Sequence, residues 1–544
     1  MTSGKVHLVR CREEAMAVRL SRYLLAVVLT VSVLAGCTSD EEPKGGSLKI
    51  LSGSENQSLE FLVEDFEKKN GVEIELTYAG SVDIMRELER GTDTAYDAVW
   101  PANHMWIQLG DSHSVTRRET SIMRSPVVLG VRRSVAETLG WVGTDVFVDD
   151  ILAAAESGRL RFMMSNAAQS DSGASAYLGF LYAFAGHPDL LQSAHLQQPE
   201  VTDKIKRIFA SVGRSAGSSG LLKELFLQSY NDYDAMFNYE SVVIETNQEL
   251  VGGGLEPLYA IYPVDGTTIA DSPLAYISKG DAGKEQTFRD FQAFFLSDDV
   301  QSQLLSIGRR AGLGLNPSGA DPAVFNPDWG IDTQRILTPI RIPDAVVVEE
   351  ALTLYQTVLR KPSFTVFALD FSGSMSGAGE DQVKEAMRLL LDQSQASEYL
   401  LQATPQDVTI VITFSSAVRD VWQVVGNDQT QMLRLVESID KTGVDGGTDV
   451  YEPVIEGLKL MQDRGTDGYF PAVVLLTDGK SEEGIGQLGS YMESSGKGHV
   501  PIFAITFGDA STEQLEEIAV LSSGKVFDGR ADLVGAFRQV RINT

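Results

Sequence analysis

The chain has 544 residues, and its 45 lysines and arginines stand against 75 aspartates and glutamates, a formal net charge of −30. Hydrophobic residues make up 43% and charged residues 22%, and the mean hydropathy is −0.05. This composition excludes a wholly disordered chain and a polytopic membrane protein, and the length predicts several domains. So large an acidic excess repels a phosphate backbone, which excludes nucleic acid as a partner. Six histidines and two cysteines argue against a Cys/His zinc site, a haem attachment site or an iron–sulfur cluster.

Residues 1–36 have the features of an export signal. An uncharged apolar run at residues 23–34 is shorter than the ~20 apolar residues that a membrane-spanning helix needs. The run leads into Leu-Ala-Gly and then Cys37, which resembles the lipobox of bacterial lipoproteins. The resemblance implies cleavage before Cys37, lipidation of that cysteine, and attachment to the cell membrane or cell surface on the extracytoplasmic side. The alternative is an ordinary signal peptide followed by a chance cysteine, and Met16 is an alternative start.

From residue 48 onward, short apolar runs alternate with stretches of helical periodicity. The predicted strands of the first part are residues 48–51, 72–78, 96–100 and 126–131, and its first predicted helices are 58–69 and 82–90. Residues 344–360 form a longer predicted helix, and a second alternating unit follows it. Strands that alternate with helices predict α/β domains with parallel sheets, whose ligand loops lie at the carboxyl ends of the strands.

Three polar clusters in the second unit adjoin apolar strands. Asp370, Ser372 and Ser374 follow the first strand, Thr448 lies in a Gly-Gly-Thr-Asp segment, and Asp478 ends a later apolar run. Two carboxylates and three hydroxyls are hard oxygen donors, and they suit a small divalent cation that keeps some of its water. The alternative is that these residues only form turns and helix caps.

This ordered set resembles the metal-ion-dependent adhesion site of von Willebrand factor type A domains. The resemblance implies a doubly wound, Rossmann-like domain that binds Mg²⁺, or Mn²⁺ or Ca²⁺, through the hydroxyls of Ser372, Ser374 and Thr448. It implies that Asp370 and Asp478 act mainly through water, and that a protein partner donates a carboxylate to the cation. A domain that has kept the fold and lost the metal is the alternative.

The first unit resembles a bacterial extracellular solute-binding protein, in which two lobes enclose a solute. The likeness rests on the order and spacing of short polar segments at residues 52–55, 79–81, 96–101, 124–126, 169–174 and 239–241. Serine and glycine just before helices favour an anion, because the first N–H groups of a helix lack partners there. The predicted ligand residues are Ser54, Ser81, Ser125, Ser172 and Glu240.

Two alternatives for the first unit stay open. Trp100, Tyr239 and Tyr262, together with Asp97 and Glu240, would form an aromatic and acidic pocket for an organic ligand. The serines and glycines would otherwise only cap helices, in a scaffold that no longer binds solute.

One segment matches a hydrolase motif. Residues 213–217 read Gly-Arg-Ser-Ala-Gly, the pattern of a nucleophile elbow in which Ser215 would attack the substrate. An elbow requires a strand before the serine, whereas residues 203–210 have helical periodicity. We therefore predict no enzymatic activity, and a hydrolase that uses Ser215 is the competing class.

These observations predict a lipid-anchored surface protein with two binding modules, a metal-dependent one for a protein partner and one for a small solute. The alternative is the solute receptor of an ABC importer with an accessory type A domain. The predicted division is signal peptide 1–36, tether 37–47, solute-binding module 48–343, connecting helix 344–362 and type A domain 363–544.

Overall fold

The computed structural model describes residues 47–542, apart from 313, 482–483, 497–499, 509 and 531–532. The predicted signal peptide, Cys37 and all but the last residue of the predicted tether lie outside the described residues. The described part contains three β-sheets flanked by helices, which confirms the predicted α/β class. Among its helices, none combines the length and apolar character needed to cross a membrane.

The strands are β1 Leu48–Gly53, β2 Ile74–Ala79, β3 Ala98–Trp100, β4 Thr116–Ser121, β5 Met123–Arg132, β6 Phe162–Ser165, β7 Val212–Ala216, β8 Ala235–Tyr239, β9 Leu258–Ile261, β10 Ile269–Ala270, β11 Pro273–Ile277, β12 Arg310–Ala311, β13 Ser363–Asp370, β14 Val408–Phe414, β15 Val418–Val425, β16 Phe470–Thr477, β17 Ile502–Thr506 and β18 Val526–Asp528. The α-helices are Glu60–Asn70, Ser81–Glu89, His104–Gly110, Arg133–Leu139, Val148–Glu156, Asp171–Phe184, Ser193–Leu196, Pro199–Ala210, Ser219–Gln228, Glu240–Gly252, Ala282–Phe295, Asp298–Ser306, Ala345–Leu354, Ala378–Leu391, Gln393–Ser397, Gln429–Asp440, Tyr451–Arg464, Ile485–Ser495, Thr512–Leu521 and Leu533–Ile542. The short 3-10 helices are Ser54–Leu59, Gly91–Asp93, Pro327–Trp329 and Gly373–Met375.

The first two sheets form a two-lobed N-terminal module. The first lobe has the strand order β2-β1-β3-β11-β4, and the second has β10-β5-β8-β6-β7 with β9 and β12 also paired to β5. The chain leaves the first lobe between β4 and β5 and returns between β10 and β11. Strand β12 then crosses back to pair with β5. The chain therefore crosses between the two lobes at these three points.

The third sheet forms the C-terminal domain, with the order β15-β14-β13-β16-β17-β18. All its neighbouring strands are parallel except β15, which runs antiparallel along one edge. Alternate residues of β13 enter different hydrophobic cores, since Phe367 and Leu369 lie in one, and Val366 and Ala368 in the other. Both faces of the sheet are therefore covered, as a doubly wound domain requires.

The predicted connecting helix packs on the second lobe. It is α-helical over Ala345–Leu354 and continues as a π-helical turn over Tyr355–Leu359. The hydroxyl of Tyr177 donates to the carbonyl of Ala351 at 3.1 Å, and the ring of Tyr355 lies 4.9 Å from that of Phe209. The helix thus shares the hydrophobic core of the second lobe and anchors the C-terminal domain to it.

The C-terminal domain contacts both lobes. Lys525 Nζ lies 3.0 Å from Glu224 Oε2 of the second lobe, and Arg538 is ion-paired with Asp83 of the first lobe. A cavity of about 300 Å³ lies where the two lobes and the C-terminal domain meet, and Ser54, Ser218 and Lys525 are among the residues that line it.

These contacts lie on one side of the C-terminal domain. Lys361 precedes β13 and donates to the carbonyl of Val212 at 3.2 Å. The carbonyl of Leu400, ahead of β14, accepts a hydrogen bond from Gln169 at 3.0 Å. Since the amino ends of parallel strands share one edge of a sheet, the carboxyl edge lies on the side opposite these contacts.

Candidate functional site

The predicted metal residues lie at the carboxyl edge of the third sheet. Asp370 ends β13 and Asp478 directly follows β16. The two strands are parallel neighbours, with Leu369 opposite Leu476, so their ends bring both carboxylates to the same place. Thr448 lies in the loop that leads into helix Tyr451–Arg464.

Four of the five predicted metal residues form a continuous set of hydrogen bonds. Asp370 Oδ1 accepts from the backbone N–H of Ser372 at 2.7 Å, and its Oδ2 accepts from the hydroxyl of Thr477 at 2.6 Å. The hydroxyls of Ser372 and Ser374 are 3.1 Å apart, and Ser374 donates to Asp478 Oδ1 at 2.7 Å.

Thr448, the fifth residue, is held beside the same set. A Cβ atom placed on Gly479 would lie only 2.5 Å from Thr448 Oγ1, so the threonine hydroxyl is packed against the residue that follows Asp478. The next residue, Asp449, has a different role, since its Oδ1 accepts from the backbone N–H of Tyr451 at 2.9 Å at the start of the helix. The structure thus brings all five predicted metal residues together.

The donor set fits a small hard cation. Burial raises the pKa of Asp370, hydrogen bonds from Thr477 and Ser372 oppose this, and the negative charge of Asp478 raises that pKa further. A cation held here would compensate both carboxylates. Within the described residues, no three His, Cys, Asp or Glu side chains are grouped to hold a metal, so a site at this edge depends on its hydroxyls.

Two of the predicted ligand serines lie where the lobes touch. Ser54 Oγ of the first lobe is 3.5 Å from Ser219 Oγ of the second. Ser81 Oγ, also in the first lobe, accepts a hydrogen bond from the backbone N–H of Asp171 at 2.9 Å. Both contacts join the start of a helix in one lobe to the other lobe.

The other three predicted ligand residues have partners on the second-lobe side. Ser125 Oγ accepts from the backbone N–H of Ser241 at 3.1 Å, and Ser172 Oγ lies 2.7 Å from Ser165 Oγ. Glu240 is fully buried and accepts two hydrogen bonds of 2.7 Å from Arg310. Of the five predicted ligand residues, Ser54 lines the cavity of about 300 Å³ at the C-terminal domain, and Ser125 lines one of about 20 Å³.

The residues of the alternative aromatic pocket have hydrogen-bond partners within the protein. Asp97 accepts from Lys284 Nζ at 2.7 Å, and Trp100 Nε1 donates to Ser272 Oγ at 2.9 Å. Tyr262 donates to Glu240.

Four residues at the lobe junction, Glu55, Trp106, Asp171 and Arg309, were not among the predicted ligand residues. Asp171 Oδ1 accepts from Trp106 Nε1 at 2.7 Å and its Oδ2 from the hydroxyl of Tyr239 at 2.9 Å. Arg309 Nη2 donates to the carbonyl of Glu55 at 2.9 Å. A cavity of about 20 Å³, large enough for about one water molecule, is lined in part by Glu55, Tyr239 and Arg309. The lobes are therefore closed on each other.

Burial dominates the electrostatics of this junction. The pKa of Glu55 is raised to about 7, mainly by burial and also by nearby Asp171, while Arg309 opposes the rise. Burial also raises the pKa of Asp171 to about 6, against the hydrogen bonds from Trp106 and Tyr239. Glu55 and Asp171 directly adjoin the predicted Ser54 and Ser172, so the predicted segments lie at the lobe junction. The sequence does not reveal which acidic side chains lose contact with water there.

Ser215 does not occupy a nucleophile elbow. It lies inside β7, not at the turn between a strand and a helix, which the elbow requires. Its Oγ is buried and has no hydrogen-bond partner among the described residues.

Comparison with known proteins identifies two families in succession. Residues 48–310 match the family of bacterial extracellular solute-binding proteins, and residues 365–532 match the von Willebrand factor type A domain. Human inter-alpha-trypsin inhibitor heavy chain H6 is 27% identical over 157 residues. That match covers 26% of this chain and 11% of the human protein, so the chain spans only a small part of that relative.

Similar solved structures correspond to the N-terminal module. The periplasmic binding protein P5PA is 15% identical, with 58% of this chain and 100% of that chain covered and a TM-score of 0.43. A periplasmic thiamin binding protein is 10% identical over 57% and 95% of the two chains, with a TM-score of 0.44. The sulfate-binding protein SubI from Mycobacterium tuberculosis H37Rv is 16% identical over 55% and 93%, with a TM-score of 0.37. From the two family matches, the chain carries a bacterial extracellular solute-binding domain followed by a von Willebrand factor type A domain.

Proposed function

We propose that this protein is a lipid-anchored extracytoplasmic binding protein with two ligands. Its C-terminal domain would hold a divalent cation and, through it, a carboxylate of a protein partner. Its N-terminal module would bind a small solute, with an anion as the favoured class. The family matches support the two binding modules, and the proposal adds the metal, the partner's carboxylate and the lipid anchor.

The observation that carries the metal proposal is the linked set of oxygens at the carboxyl edge of the third sheet. Ser372, Ser374 and Thr448 would bind the cation directly, and Asp370 and Asp478 would balance its charge. When bound, a divalent cation supplies the positive charge that attracts an external carboxylate. Neutral hydroxyl ligands leave more of that charge uncompensated than carboxylate ligands would, which favours an anionic partner.

The surroundings of this edge support an external partner. Ser374 and the neighbouring glycines Gly373, Gly446 and Gly447 are exposed to solvent. The contacts with the N-terminal module lie at the opposite edge of the sheet, so the module does not cover the set. A partner's carboxylate would reach this edge at the exposed Ser374 without any rearrangement of the two modules.

Metal titration of the purified full chain tests the proposal. We expect Mg²⁺ or Mn²⁺ to bind with a stoichiometry of one, and Asp370→Ala or Ser374→Ala to weaken binding at least about tenfold. Asp445→Ala is the matched control, since Asp445 is an exposed carboxylate in the loop of Thr448 whose side chain pairs with Arg419 at 3.3 Å. Equal affinity in wild type and Asp370→Ala would refute the metal site.

The solute proposal is tested separately. We expect one member of a panel of oxyanions and organic solutes to bind the full chain, and Ser81→Ala to weaken it, because Ser81 lies at the lobe junction. Solute binding that is unchanged in Ser81→Ala and in a Ser54→Ala variant would place the ligand elsewhere. Uptake of that solute by cells, lost on deletion of this protein, would favour the importer receptor.

A further inference from the structure

A half-buried arginine of the N-terminal module lies against the C-terminal domain without a carboxylate at ion-pair distance. Arg214 is in β7, and its Nη2 donates to the backbone carbonyl of Ser523. Among the described residues it forms no ion pair within 4.0 Å, and burial lowers the pKa of its guanidinium. A partly desolvated guanidinium with no carboxylate within ion-pair distance has unused donors and an unfavourable desolvation energy, both of which an anion would relieve.

This arginine lines a large cavity between the two modules. The cavity has a volume of about 660 Å³, within the range of about 300–1,000 Å³ that is usual for small-molecule sites. Its wall on the second lobe includes Arg161, Ser215 and Tyr233, and its wall on the C-terminal domain includes Phe470 and Pro501. Neither wall belongs to the lobe junction or to the metal edge.

The charges around the cavity favour an anion. Arg161 is paired with Asp234 at 3.1 Å. Asp232, the one carboxylate among the described residues of the cavity wall, attracts Arg214 but forms no ion pair with it within 4.0 Å. A second cation lies alongside, since Lys361 Nζ is 4.9 Å from the ring of Phe470. Burial lowers the pKa of Lys361, which also forms no ion pair with a described carboxylate. Positive charge is thus in excess here, in a chain whose net charge is −30.

We propose that this interdomain cavity binds a small molecule through an oxyanion group, a phosphate or a carboxylate, held by Arg214. The planar guanidinium matches the paired oxygens of both groups, and the aromatic walls from Tyr233 and Phe470 suit an apolar part of the ligand. Because one wall comes from each module, such a ligand would stabilise their contact.

Calorimetric titration of the purified full chain with inorganic phosphate, and separately with succinate, tests the proposal and distinguishes the two oxyanion groups. We expect one of these probes to bind, and Arg214→Gln to weaken it at least about tenfold. Arg214→Lys keeps the charge but not the fork of donors, and it should weaken binding by a smaller factor. Arg159→Gln is the matched control, since Arg159 is an exposed arginine of the same lobe.

Three outcomes would overturn the proposal. The first is that neither probe binds below about 10 mM. The second is that the bound probe has the same affinity in wild type and Arg214→Gln. The third is that Ser81→Ala abolishes binding while Arg214→Gln leaves it intact. The last outcome would place the anion in the cleft between the lobes. If Arg214→Gln does not fold, Arg214→Lys takes its place, and equal affinity for the probe in Arg214→Lys and wild type overturns the proposal.

Discussion

Replacement of Glu55 by glutamine should make the N-terminal module more stable at neutral and alkaline pH. Glu55 Oε1 is buried at the lobe junction and has no hydrogen-bond partner among the described residues. Burial raises the pKa of this carboxyl group from 4.5 to about 7. The charged form is therefore disfavoured in the folded protein, and glutamine keeps the shape of the side chain without the charge.

The size and direction of the effect follow from this pKa. Each unit of change in the pKa between the unfolded and the folded protein corresponds to ~1.4 kcal/mol. A pKa raised from 4.5 to about 7 therefore lowers the free energy of unfolding by ~3 kcal/mol once the carboxyl group is fully ionised. Below about pH 4.5 the carboxyl is protonated in both states and contributes no penalty. Between about pH 4.5 and 7 the unfolded chain ionises first, so wild type loses stability relative to Glu55→Gln as pH rises.

Urea unfolding of both proteins, followed by tryptophan fluorescence at about pH 4, 6 and 8, measures the difference. We expect Glu55→Gln to match wild type at the lowest pH and to exceed it by up to ~3 kcal/mol at the highest. Glu64→Gln is the control, because Glu64 is exposed and pairs with Lys68 on the surface. A difference that is constant across this range, or that favours wild type as pH rises, would refute the reasoning.

Three other substitutions have defined outcomes. Arg310→Met should lower the free energy of unfolding by ~3–5 kcal/mol in denaturant titrations, because it leaves Glu240 buried and unpaired, and adding Glu240→Leu should recover much of the loss. Gly479→Ala should weaken Mg²⁺ binding in calorimetry with an unchanged circular dichroism spectrum, because its Cβ would displace the hydroxyl of Thr448. Cys37→Ala should release the protein from membranes or block its processing, as judged by detergent partitioning and mass; unchanged behaviour would contradict lipidation.

The sequence predicted best those features that depend on neighbours along the chain. The apolar run of β13 and the polar residues after it located Asp370, Ser372 and Ser374 at a strand end. The antiparallel edge strand β15 was missed, because most of its residues are exposed and it lacks a continuous apolar run.

The hydrogen-bond partners of the predicted ligand residues could not be predicted, because these partners are distant in sequence. Glu240 follows a strand, as a ligand residue would, but it pairs with Arg310, 70 residues later. Ser81 accepts from the backbone of Asp171, 90 residues away, and this contact exists only when the lobes close. No local pattern distinguishes an acidic side chain that binds solute from one that a distant arginine neutralises.

The C-terminal domain forms an ion pair with each lobe, so any separation of the two lobes also changes the contacts of that domain. Arg538 holds Asp83 of one lobe and Lys525 holds Glu224 of the other, so separation of the lobes must stretch or break at least one of these pairs. A solute that favours one spacing of the lobes would therefore change the stability of the contact between the C-terminal domain and the N-terminal module. If solute binding changes the affinity of the C-terminal domain for a partner by some factor, binding of that partner must change the affinity for solute by the same factor.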